Sequence, residues 1–215
     1  MATKPKPGRP AGVRNSDTQD RIVRSACELF ARNGIGGTSN QQLAKKARVT
    51  PAMIHYYFKR REDLYKAVME YSFGFAREQL LQAGSLEEWV HTFHDNLTRH
   101  PWKPHLIIRE VIPHGGQLQA YFLKHVGPAI FGSIRTQMVD TAKTNNLGKD
   151  FDIERHVILL MGMLVYPFIG REIAEKITGK TFNETMMINF REDALALFEA
   201  GIKARTLSGT KGARP

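Results

Sequence analysis

The chain has 215 residues, 42% apolar and 24% charged, with a single cysteine and a formal net charge of +10. That length can bury a sizeable core without disulfides or metal, and the composition is that of an ordinary soluble globular protein. One cysteine excludes an internal disulfide framework and fits a reducing compartment; Ala26, Leu29 and Phe30 around Cys27 mark it as a core thiol, not a nucleophile. The opening residues hold no apolar signal-peptide core. The longest apolar run, Val157 to Gly170, is too short for a bilayer and contains Pro167, so the expectation is a cytoplasmic protein with no membrane partner.

The charge is unevenly placed. Residues 1–66 hold 14 Lys/Arg against 5 Asp/Glu, a net of +9, whereas residues 67–215 hold 17 against 16, a net of +1. A basic head on a neutral body points to a polyanion partner, nucleic acid or an anionic surface; the alternative is a solvated basic face.

In chain order, residues 1–15 are rich in Pro, Gly and Lys/Arg and read as a disordered basic arm. Ser16 and Asp17 offer cap chemistry for a first helix whose Ile22, Ala26, Cys27, Leu29 and Phe30 recur at helical spacing, with Gly34 as its stop. Thr38 is placed to cap a second, short helix, with Gln41 completing a capping box and Leu43, Ala44 and Ala47 as its apolar face. Thr50-Pro51 opens a third, the hydroxyl as cap and the proline at the first helical position, where a missing N–H costs nothing. Ile54, Tyr57 and Phe58 supply its inward face. A fourth runs from about Arg60 to about Leu81.

The rest is helical throughout. Ser85 to Glu88 forms a capping box ahead of Trp89, Val90, Phe93 and Leu97; Pro101 and Pro104 interrupt; Leu106 to Ile112 is a short helix. Gln117 to about Asn145 is amphipathic, with a kink expected at Pro128. Two last helices cover about 152–176 and 183–205, before a flexible tail at 206–215. No strand run, repeat or heptad seam is present. The fold class is all-α: a helix-turn-helix head at 16–66 and a helical-bundle body at 67–205.

Two short helices joined by a tight turn, the second opened by Thr-Pro, meet the needs of a helix-turn-helix. Ala44 and Ala47 allow close approach, and Val49 and Ile54 plug the angle. The match extends further: the stretch from Gly37 to Leu64 carries Thr-Ser at the start of helix two, Leu-Ala followed by Ala-x-Val-Thr, Ile-x-x-x-Phe closing helix three, then Arg61 and Leu64. Residues 17–68 thereby resemble the DNA-binding head of TetR-type (TetR/AcrR) regulators. Three departures stand out: Arg48 and Ala52 where the family favours glycine, and His55 where it favours tyrosine. If the turn needs φ > 0 at Arg48, the side chain costs about 1 kcal/mol.

The resemblance places Thr38, Ser39 and Asn40 at phosphates, where a helix N-terminus also suits an anion. Gln41 falls where the family reads a base, with the capping box as its alternative. Thr50, Pro51, Ala52 and Met53 form the end entering the groove, suited to thymine methyls. His55 and Tyr56 face outward if Ile54 and Phe58 face inward. Tyr57 and Arg61 match the family's phosphate contacts, with half-buried packing the alternative for Tyr57. Lys45, Lys46, Arg48, Lys59 and Arg60 add long-range attraction. In the arm, Gly8-Arg9-Pro10 resembles half an AT-hook; Arg9 has the chemistry for a narrow A·T minor groove, against a solvated tail adding only charge.

One recognition helix reads few base pairs, so the partners implied are double-stranded operator DNA and a second copy, binding as a homodimer. The resemblance puts the dimer interface on 152–176 and 183–205. There Val157, Ile158, Leu160, Met161, Leu164 and Val165 are more apolar than one core stripe requires, and Leu195, Leu197, Phe198 and Ile202 supply the partner face. It also implies a small, partly apolar effector, for which Phe93, Trp102, Tyr121, Phe122, Met161 and Tyr166 are the candidate lining. Ordinary core packing is the competing account of each.

Enzyme signatures are absent: no HExxH, Cys/His cluster, GxSxG or phosphate loop, and no cofactor is implied. Six of the eight histidines lie at His91, His94, His100, His105, His114 and His125; His91 and His94 share a helix face, which keeps metal binding as a rival, but Pro113 spoils the Glu110/His114 pair and surface or pocket histidines are the default. No metal site is expected. The function implied is a transcriptional regulator, by family habit a repressor, located with the nucleoid. A nucleoid-organising or division-linked DNA binder of the same fold, without an effector, is the alternative.

Overall fold

The computed structural model describes residues 11–113 and 118–209, so Arg9, His114 and the last residues of the tail lie outside it. Helix α1 (Ala11–Asn33) begins ahead of the Ser16–Asp17 cap and takes in the end of the expected arm. Its Ile22, Ala26, Cys27 and Phe30 are buried against Leu43, Ala44 and Ala47 of α2 (Asn40–Ala47), Ile54 of α3 (Pro51–Tyr57), and Leu64 and Val68 of α4 (Arg61–Gln82). This is the head. Its core does not stop at residue 66: that boundary falls inside α4, which also packs on α5 (Leu86–Arg99) and α8 (Gly127–Thr144) of the body.

The caps follow side-chain chemistry. Ser85 accepts the Glu88 N–H at 3.1 Å, but Glu88 reaches back to Gly84, not to Ser85, at 2.8 Å. Asp152 caps α9 (Ile153–Ile169) through the Arg155 N–H, and Asn183 caps α11 (Glu184–Gly209) through the Met186 N–H, each at 2.9 Å.

Prolines account for three corrections. Pro104 does not break a helix but sits in the first turn of α6 (Trp102–Glu110), where backbone N–H groups have no intrahelical acceptor anyway. Pro128, with no N–H to offer the preceding turn, follows a π-helical segment (Phe122–Val126) linking α7 (Gln119–Tyr121) to α8. The expected single helix over 152–176 is two: α9 ends at Gly170 soon after Pro167, and α10 (Arg171–Thr178) leaves it at 72°. The Tyr166 ring lies so close to Gly170 that a Cβ there would meet Cζ at 2.9 Å, so any side chain at this corner would have to displace the exposed ring.

In the body, Trp89 stacks on Phe93 with centroids 4.9 Å apart and donates its indole N–H to Ser133 of α8 at 2.8 Å. Among the described residues there is no strand, and no single helix is long and apolar enough to cross a membrane.

Candidate DNA-binding face

The α2–α3 unit is built by three local devices. First, Ser39 is the N-cap of α2: its Oγ accepts the Gln42 N–H at 3.2 Å while the Gln42 side chain accepts the Ser39 N–H at 2.8 Å. This corrects the box expected at Thr38 and Gln41 by one residue. Both frames fit the pattern; burial chooses between them. Thr38 is 2% exposed and donates its hydroxyl to the Gly34 carbonyl at 2.8 Å, which turns it away from any phosphate. Gln41 is thereby released from capping and remains exposed.

Second, the turn is a Schellman closure. Val49 N–H donates to Ala44 C=O at 3.0 Å and Arg48 N–H to Lys45 C=O at 3.3 Å, with Arg48 at φ 55. The left-handed conformation that sequence reasoning made conditional is adopted, and it is held by an arginine. Third, Thr50 caps α3 through the Met53 N–H at 3.3 Å, with Pro51 at the first helical position.

These devices aim the outward residues together. Ile54 and Phe58 are buried, so Pro51, Ala52, His55 and Tyr56 point outward, Tyr56 with 71% of its surface exposed. Met53 is half-buried. Tyr57 is half-buried too, packed on the core and edge-on to Tyr56 at 5.2 Å. Ser39 and Gln41 are exposed at the start of α2; Asn40 reaches across to α3, its amide nitrogen 3.3 Å from His55 Nε2. Lys45, Arg48, Lys59 and Arg60 surround this surface; Lys46 is drawn to Glu28 at 2.6 Å.

Arg61 works first as a clamp. One of its terminal nitrogens donates to the carbonyls of Ile35, at 3.2 Å, and Thr38, at 2.6 Å, pinning the α1–α2 connection from the start of α4. From the opposite side, the buried carboxylate of Glu110 on α6 accepts the Ile35 N–H at 2.7 Å. The sequence offered no signal for this contact, because its two residues are 75 positions apart.

The six candidate effector residues do not surround one cavity. Phe93 is stacked under Trp89, Phe122 lies edge-on to Phe73 at 6.0 Å, Tyr121 hydrogen-bonds Glu70, and Tyr166 is 66% exposed against Gly170. Met161 is half-buried at the edge of the core. Trp102 lines a groove of about 360 Å³ between α1, α6 and α10, shared with Arg32, His105, Arg109 and Glu172. Deeper in the body, His94 is buried, tilted on Phe168, with no partner for its Nε2; burial, reinforced by Arg191, holds its pKa down at about 4.

Residues 22–68 match the family model described as bacterial regulatory proteins, tetR family. The HTH-type transcriptional repressor NicS of Pseudomonas putida is 26% identical over 170 residues, 74% of this chain and 80% of that protein. The probable HTH-type transcriptional regulator YttP of Bacillus subtilis is 41% identical over 61 residues, 28% of this chain and 30% of that protein. The fold is that of the hemolysin II transcriptional regulator HlyIIR, with a TM-score of 0.60 at 22% identity over 83% of this chain and 97% of that one. These relatives are named as regulators, not enzymes, and the family-model match spans the face just described. Residues 22–68 thus carry the DNA-binding region of the tetR family of bacterial regulatory proteins, and the relatives support a DNA-binding regulatory role for the chain.

Proposed function

We propose that the protein is a repressor that binds a palindromic operator as a homodimer and is released by a small, partly apolar effector. The observation that carries the dimer is an apolar stripe left uncovered on the last two long helices. On α9 it comprises Ile158, Leu159, Gly162 and Tyr166, the first two 64% and 55% exposed; on α11 it comprises Ala196, Leu197, Ala200 and Gly201, with Leu197 67% exposed. Nothing lies within 4 Å of where a Cβ would stand on Gly162 or Gly201. Small residues at helical spacing let a second helix pair approach closely, and a contiguous apolar face of this kind marks an interface. Of the residues expected there from sequence, Ile158 and Leu197 lie on this stripe, whereas Val157, Leu160, Leu164, Leu195, Phe198 and Ile202 are buried in the protein's own core.

A dimer supplies two α3 helices, which a two-fold operator requires about 34–36 Å apart. Ser39, Asn40, Gln41, Thr50, Pro51, Ala52, Met53, His55, Tyr56 and Tyr57 form the proposed contact set. Thr38 leaves it, and Arg61 joins through whichever N–H groups the clamp does not use. Release by an effector is supported by the direct bond from α6 to the head through Glu110.

Light scattering on purified protein tests the assembly. The wild type is expected to be dimeric and both Ile158→Glu and Leu197→Glu monomeric, with operator affinity falling about 100-fold or more as bivalence is lost. A monomeric wild type that holds a palindrome at full affinity would overturn the proposal.

A further inference from the structure

Trp102, His105 and Arg109 recur at spacings of three and four, which puts them on one face of α6; Glu28, Ala31 and Arg32 do the same on α1. The two faces meet around the groove of about 360 Å³, with Glu172 of α10 as a third wall. That volume lies within the range of small-molecule sites. Ala31, buried and small, leaves room between the longer side chains.

The charges of the groove are not balanced from within. Glu28 is drawn to Lys46 at 2.6 Å, away from the groove's own cations. Among the described residues no carboxylate oxygen lies within 4.0 Å of the Arg32 or Arg109 guanidinium. Beside Trp102 stands a third cation. Lys103 is buried, its ammonium 5.9 Å from the centre of the Trp102 ring, and it donates to the neutral Asn96 Oδ1 at 2.7 Å. Burial holds its pKa down at about 8, which still leaves it charged at neutral pH. A buried ammonium without a counter-ion beside two unpaired guanidiniums favours an anion.

The groups on offer narrow the anion further. A guanidinium fork suits a carboxylate, which it can meet with two parallel bonds. The indole adds a flat apolar surface that an aromatic ring fits. We propose that this groove binds a small aromatic carboxylate, its ring against Trp102 and its acid group among the guanidiniums of Arg32 and Arg109. The occupant ties α1 of the head to α6 of the body next to an existing link: Arg109 lines the groove, while Glu110, the next residue, is buried and accepts the Ile35 N–H. That the filled groove alters operator affinity rests on the effector reading; that it fills does not.

Titration of the full-length protein with benzoate and phenylacetate, followed by tryptophan fluorescence and by calorimetry, tests the site. Trp89 is buried against Phe93, so a saturable fluorescence change is expected from Trp102. Trp102→Phe keeps a ring in place and should retain the calorimetric binding while losing the fluorescence change. Arg32→Ala combined with Arg109→Ala should weaken binding about 10-fold or more, whereas Arg135→Ala, on α8, should leave it unchanged. Benzamide, a ring without the charge, and acetate, the charge without a ring, should each bind at least about 10-fold more weakly than benzoate. The thermal midpoint checks that each variant is folded. No saturation with either acid up to about 10 mM, or full affinity in the double arginine variant, would overturn the proposal. So would benzamide or inorganic phosphate binding as tightly as benzoate. Operator titration with and without benzoate separates the two readings: unchanged DNA affinity at saturating acid would sink the effector role and leave the binding site standing.

Discussion

Replacing Glu110 by alanine removes the carboxylate that crosses from α6 to the α1–α2 connection and leaves the buried Ile35 N–H without its acceptor, 2.7 Å away in the native protein. An orphaned buried donor costs about 1–3 kcal/mol. The partner left behind is neutral, and the variant no longer carries a desolvated carboxylate, which removes the larger penalty seen when a buried ion pair is broken. The net loss should be about 2 kcal/mol, which for a chain of this length lowers the thermal midpoint by about 4–8 °C. Glu110→Gln keeps an acceptor in the same place and loses only the charge assistance, so about half that shift is expected. Thermal unfolding of the three proteins measures the ranking, and amide hydrogen exchange at Ile35 localises it. If the alanine variant melts within about 1 °C of the wild type, or if Ile35 keeps its native exchange rate, the carboxylate does not hold the head and the reasoning fails.

Two further outcomes are expected. Arg48→Gly relieves a left-handed backbone at φ 55 and should raise stability by about 1 kcal/mol, a gain of about 2–4 °C in thermal melts; a lower midpoint would show that the arginine side chain does more than tolerate the turn. Burial keeps His94 neutral down to about 4, against 6.5 for a free imidazole, so between those values the unfolded chain binds the extra proton and stability falls as the pH drops. His94→Phe should flatten that part of the midpoint-versus-pH curve, and an unchanged slope in the variant would assign the acid sensitivity elsewhere.

The head was legible because its signals are local. Thr50-Pro51, Ala44, Ala47 and the Ile54/Phe58 spacing each act within a turn or two of chain, and each does in the structure what its chemistry implies. Where local rules allowed two answers, the choice lay in three dimensions. Thr38 and Ser39 are equally good caps until burial of Thr38 decides for Ser39. Helix α9 reads as more apolar than one core stripe requires, and α11 as offering one apolar face, but which residues belong to the core depends on packing against neighbouring helices, which no spacing rule encodes. The proposed effector lining meets the same ambiguity. Aromatic and methionine content names residues able to line a pocket, whereas Phe93 and Phe122 are drawn into ring contacts with Trp89 and Phe73. Glu110 stood out only beside His114, and its bond to Ile35, 75 positions away, had no local signal.

That last contact bears on how the proposed switch would work. The connection between α1 and α2 is held by a few directional bonds: Glu110 on the Ile35 N–H, Arg61 on the carbonyls of Ile35 and Thr38, and the Thr38 hydroxyl on Gly34. Gly34 itself sits at φ 76 with the Glu110 carboxylate 3.1 Å from where a Cβ would be, so a side chain there would strain the turn and press on that carboxylate. Dispersion contacts weaken gradually as helices shift, but a hydrogen bond to a buried amide is either made or lost. A displacement of α6 that breaks the Glu110 bond changes the energy of the head by about 1–3 kcal/mol, and a coupling of that size alters affinity by about 5- to 150-fold. One carboxylate is therefore sufficient in magnitude to connect the body to DNA affinity, without requiring the head's core to repack.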